Sequence, residues 1–175
     1  SRLGQLSPGV RAVVEMVAHG EPIGLELLNQ ATDPHDVETA EERGLIGIVL
    51  DDRRANVRLA HPHYGEVVRR GCPVTRTRRI RATLADLLER AGSRRHDDLL
   101  RVAVWRLDSG TARDPGLLLS GGRQAFGRFD VPLATRLASA ALDAGGGFDA
   151  AELLATILMF ADQPEEAIRV LDRVA

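Results

Sequence analysis

Only one stretch of this 175-residue chain, "LIGIVLDDRRANVRLAHP" from Leu45 to Pro62, leaves a helical pattern. Ile46 to Leu50 and Asn56 to Ala60 are short apolar or alternating runs, and the charged turn "DDRRA" joins them. That combination predicts a β-hairpin. Before it come three short helical segments. "LSPGVRAVVEMVAHG" starts with Ser7 as N-cap and Pro8 at the first helical position, places Val10, Val13, Val14 and Val17 on one face, and ends at Gly20. "EPIGLELLNQA" predicts a second helix with Ile23, Leu25 and Leu28 apolar, and "TDPHDVETAEERGLI" a third that presents Val37 and Ala40 and stops at Gly44.

Three short helices followed by a two-stranded wing are the element order of a winged helix-turn-helix, expected over residues 1–70 with "HPHYGEVVRR" packing back as the next helix. From Pro73 onward there is no strand signal. A connecting helical segment is expected over 71–112. It holds one helix with Ile80, Leu84, Leu87 and Leu88 on its stripe, and another with Leu99, Val102, Trp105 and Leu107 available for burial. Residues 113–175 predict four helices of about a dozen residues with short connections. They contain a recurrence: Phe126 and Phe160 are 34 apart, and Asp130 and Pro132 return as Asp162 and Pro164, 32 later. Such a spacing, with a proline before the second helix, resembles the tetratricopeptide (TPR) class of antiparallel helix pairs. The Gly-rich stretches and the lack of a Trp–Gly–Tyr signature leave an irregular bundle as the alternative packing. The expected fold class is therefore mainly α, a winged helix-turn-helix with a short hairpin followed by TPR-like repeats.

Hydrophobic residues make up 44% of the chain but aromatic ones only 3%, so the core is aliphatic. Net charge is −2, which creates no global field for nucleic acid or membrane. The basic charge is concentrated in the middle, where Glu66–Arg106 carries 11 Arg against 5 acids and each flank carries 6 against 10. All 23 basic residues are Arg. A P-loop of the G-x-x-x-x-G-K-[ST] type and a Schiff-base lysine are thereby excluded. The single Cys72 rules out an internal disulfide and fits a reducing compartment. No apolar run approaches the roughly 18 residues of a membrane span. The expectation is a cytoplasmic chain without membrane partners. Its helical pattern runs to Ala175, which suggests a piece of a longer protein.

The third helix would be the DNA-reading helix of a winged helix-turn-helix, yet it carries Asp33, Asp36, Glu38, Glu41 and Glu42 against Arg43, and phosphates would repel it. In the wing, Arg53 and Arg54 follow Asp51 and Asp52. The run "RRGCPVTRTRRIRATL" offers Arg69, Arg70, Arg76, Arg78, Arg79 and Arg81 as an electrostatic footprint, or as a face that docks on the chain's own acidic flanks. No aromatic residues interleave to stack bases. His61, His63 and Glu66 do not complete a zinc ligand set, and no nucleophile elbow is present. "SGGRQAFG" lacks the preceding strand of a phosphate cradle. No catalytic and no metal-binding residues are predicted.

The stretch "VRLAHPHYGEVVRR" resembles the end of the winged-helix domain in nucleotide-switch (STAND-class) ATPases, and is closest to the large ATP-dependent LuxR-type transcriptional regulators. There, a strand runs into a Met-His-Asp-type motif and then a helix. Ala60, His61 and Pro62 fall on those three positions, with proline replacing the motif's aspartate. The resemblance implies that His61 reaches the β-phosphate of ADP held by an ATPase domain N-terminal to Ser1; an imidazole N–H suits that role. The competing role is a simple helix cap. It further implies ATP or ADP as the cofactor of the parent protein, a protein or small-molecule effector at the helical repeats, and DNA contact through a separate C-terminal domain. The chain would be a non-catalytic regulatory segment coupling nucleotide state to partner binding. Direct DNA binding by the winged helix and the Arg-rich helix, and a plain interaction scaffold, are the alternatives.

Overall fold

The computed structural model describes residues 6–51, 54–92 and 96–175. It shows a mainly α-helical chain with an early three-stranded antiparallel sheet. Two compact units divide it, Ser1–Arg90 and Ala91–Ala175.

The first unit begins with α1 (Pro8–Gly20), whose N-cap Ser7 accepts from Val10 N–H at 3.2 Å. Val13 and Val17 are fully buried, as the apolar spacing predicts. β1 (Ile23–Gly24), α2 (Leu25–Ala31) and α3 (Pro34–Glu42) follow, then β2 (Ile46–Asp51) and β3 (Arg54–Leu59). The predicted hairpin is present, although Asp52 and Arg53 of its turn lie outside the described residues. The two-stranded wing and the helical placement of Ile23 need correction. Ile23 pairs with Val57 and Gly24 with Asn56, so the sheet has the order β1-β3-β2. The β-branched Ile23 suits a strand paired with Val57, and only from Leu25 does the helix begin. Register then stacks Ile23, Val57, Ile46 and Leu59 on one buried face, with Ile46 opposite Leu59.

The first unit closes with α4 (Pro62–Gly71) and α5 (Val74–Arg90). α5 packs on α1 and α2, and buries Ile80, Leu84 and Leu88. Residues 71–112, expected as one connecting segment, are thus shared: α5 belongs to the first unit, and α6 (His96–Ser109) packs on α7 in the second.

In the second unit α6 is followed by α7 (Pro115–Gly127), α8 (Val131–Asp143), α9 (Gly147–Phe160) and α10 (Pro164–Asp172). Its core is unusually rich in alanine: Ala103, Ala125, Ala134, Ala138, Ala141, Ala150, Ala151 and Ala167 are all buried. A backbone repeat is visible at the helix ends. After α7, Phe129 N–H bonds Phe126 O and Asp130 N–H bonds Ala125 O. After α9, Asp162 N–H bonds Met159 O and Gln163 N–H bonds Leu158 O. Phe129 and Asp162 share a positive φ, 61° and 58°. Every one of these pairs is offset by 33 residues, as are the buried pairs Ala134/Ala167 and Leu137/Val170. The sequence pairing of Asp130 with Asp162 is therefore out by one. Asp130 caps α8 through its carboxylate, which accepts from Leu133 N–H, whereas Asp162 occupies the left-handed turn position one residue earlier.

Candidate functional site

β3 ends at Leu59, Ala60 N–H still bonds Leu45 O at 3.0 Å, and His61 stands at the N-cap of α4 with extended backbone. Pro62 at the first helical position accounts for the abrupt strand-to-helix change, since its fixed φ suits a helix start. The His61 side chain is exposed and makes no capping hydrogen bond. Its main-chain oxygen accepts from Tyr64 N–H, and its ring meets the Tyr64 ring edge-on with centroids 5.1 Å apart. Helix capping by the His61 side chain is thus not what the geometry displays. His63 is exposed and Tyr64 half-buried. Among the described residues no group of three or more His, Cys, Asp and Glu is arranged to hold a metal ion.

The arginine run has partners inside its own unit. Arg69 donates to Ala18 O at 2.7 Å, at the C-terminal end of α1, and lies 3.6 Å from Glu21. Cationic groups are stabilised at such helix ends. Glu21 in turn accepts from Leu59 N–H at 3.0 Å, so one carboxylate ties α1 to β3 and α4. Gly65 permits this: a Cβ there would stand 2.9 Å from the Arg69 guanidinium and 3.1 Å from Leu59. Arg76 crosses to Glu15 at 3.1 Å, and Arg70 pairs with Glu66 on the helix surface. Arg78 and Arg79 are exposed. On α3, Glu38, Glu41 and Glu42 are exposed, an acidic face that a phosphate backbone would meet unfavourably.

The Gly-rich "SGGRQAFG" is no phosphate cradle. Gly121 and Gly122 are buried in the middle of α7, where a Cβ would stand 2.7 Å from Ala103 and 3.2 Å from Leu153 respectively. They let neighbouring helices approach closely.

One residue escaped sequence reasoning. His19 lies in the last turn of α1, and neither of its ring nitrogens has a hydrogen-bond partner. Burial first, then the charges of Arg81 and Arg69, lower its pKa from 6.5 to about 4. Nothing local in "MVAHGE" signals this, because the arginines arrive from 50 or more residues away.

Compared with protein-family models, curated proteins and solved structures, the chain matches none.

Proposed function

We propose that the chain is a non-catalytic regulatory segment of a LuxR-type ATP-dependent transcriptional regulator. In this reading the first unit is a winged helix-turn-helix that senses the nucleotide held by an ATPase domain, and the second is a TPR-like sensor for an effector. The observation that carries it is His61: an exposed imidazole placed where β3 turns into α4, at the position of the histidine in the Met-His-Asp-type motif. The order of three helices and a β1-β3-β2 sheet supports the winged-helix assignment. The 33-residue offset of helix ends supports the repeat assignment. Loss of the His61–phosphate contact on nucleotide exchange would release the winged helix and bias the regulator toward its open state.

The test is ADP retention by a full-length regulator carrying this segment, compared between wild type and His61→Ala. Faster ADP loss in the variant is expected. Equal retention would remove His61 from the phosphate and sink the nucleotide-sensing role.

A second reading has its own observation. Phe129 is 76% exposed while held at positive φ, a conformation that costs a bulky residue about 1 kcal/mol or more. Its ring leans toward Phe160, itself exposed, which packs edge-on against Phe126. An aromatic cluster kept at the surface suits a protein-interaction scaffold with no nucleotide link, in which His61 is freely replaceable.

A further inference from the structure

Between the first turns of α1 and the start of α5 lies a groove of about 430 Å³, lined by Leu6, Pro8, Arg11, Ala12, Glu15, Arg76 and Arg79. Three arginines and one glutamate are among its lining residues. Glu15 is nearly buried, and both of its oxygens are spoken for by Arg76 Nη1, at 3.1 and 3.4 Å. That pair neutralises itself and fixes Arg76 in the groove wall. Arg11 and Arg79 are left exposed, and among the described residues neither has an ion-pair partner, so the groove keeps two uncompensated positive charges. The contrast with Arg69, Arg70 and Arg76 is direct, since each of those lies against a named acid. The start of α1 is not itself the anion site. The Asp36 carboxylate already fills the space beside Gly9, where a Cβ would stand 1.9 Å from Asp36 Oδ2.

We propose that this groove, through Arg11 and Arg79 with Arg76 in its wall, binds the phosphate of a small organic phosphomonoester whose body is aliphatic. Two free guanidiniums match the dianion, and planar guanidinium forks suit phosphate oxygens. Leu6, Pro8 and Ala12 supply the apolar wall for the body. Among the described residues no aromatic side chain lines the groove, and its concavity suits a small molecule better than a duplex. The proposal does not involve His61 and stands apart from the nucleotide-sensing role.

The experiment is calorimetric titration of the 175-residue chain with monobutyl phosphate, with butanol and a DNA duplex as comparison ligands. Saturable one-to-one binding of monobutyl phosphate is expected, with none for butanol. The double variant Arg11→Gln/Arg79→Gln should weaken it at least about tenfold, or roughly 1.4 kcal/mol. Arg54→Gln, an exposed arginine outside the groove, should leave it unchanged. Both groove positions are exposed, so the double variant should melt like wild type, and circular dichroism checks this. The proposal is overturned by absent saturation, by equal binding in the double variant, or by arginine-dependent binding of the duplex without the small phosphate.

Discussion

The two units solve the same problem, joining short helices, with different chemistry. In the first, elements distant in sequence are tied by arginines to acids and carbonyls: Arg69 to Ala18 O and Glu21, and Arg76 to Glu15. Its buried side chains are mostly branched, with Val10, Val13, Val14 and Val17 at the centre. In the second, alanine and glycine bring helix axes together; the ion pairs Arg128–Asp97 and Arg169–Glu166 lie toward solvent, while Arg136 on α8 reaches the mostly buried Asp108 of α6 at 2.7 Å. The two exposed pairs contribute little. The second unit therefore rests chiefly on close fit of small apolar residues with ion pairs at the helix edges, and the first on branched side chains plus arginines that reach a helix-end carbonyl and the buried Glu15. The uneven charge distribution along the chain follows in part: the central arginines answer acids of the N-terminal flank.

If close apolar fit holds the second unit, Leu118→Ala should have the largest effect. Leu118 is fully buried in the alanine-rich core, and its truncation should cost about 2–5 kcal/mol. Urea unfolding followed by the single Trp105 reports on this unit. A loss below about 1 kcal/mol would mean that the helices re-pack freely and that the contrast between the units is false.

The polar ties of the first unit are probed by Arg76→Ala, which leaves Glu15 nearly buried without its ion-pair partner. Because Arg76 is itself partly exposed, the expected loss is about 1–2 kcal/mol, well short of a fully buried pair. Amide exchange in α1 and α5 measures it, and exchange in α7 and α8 should not change. Equal loss of protection in all four helices would erase the distinction.

The smallest effect is a pH dependence confined to the first unit. The unfolded chain takes up the His19 proton near pH 6.5, the folded chain only near about 4. Stability is therefore full above the unfolded value and declines as pH falls from 6.5 toward 4. The expected loss is about 1 kcal/mol, since the ring is only partly shielded and the full shift overstates it. Urea midpoints at stepwise lower pH, compared with His19→Leu, measure the slope; an equally steep slope in the variant assigns it elsewhere.

Much of the secondary structure was legible because its signals are local. Ser7 and Asp114 each bond an amide two or three residues on, and Pro8, Pro34, Pro62 and Pro115 stand at helix starts. The hairpin announced itself by alternation, and its register followed from which residues could share a buried face. The two-residue β1 had no periodicity to announce it; it is a strand only because β3 offers an edge. His61 was legible as the residue at a strand-to-helix boundary, but its exposure and its contact with Tyr64 were not. The groove was invisible as well, because Arg11 and Arg79 are 68 positions apart and meet only through the packing of α1 on α5.

Local hydrogen bonding and side-chain periodicity were enough to dictate a mainly helical chain with one extended segment, helix starts included, because those energies act within about four residues. Which arginine meets which acid, which of two near-equal offsets the helix pairs adopt, and which histidine loses its water depend on contacts between elements. Those contacts form only when apolar faces are buried together, and the burial free energy that selects among them belongs to the assembled fold.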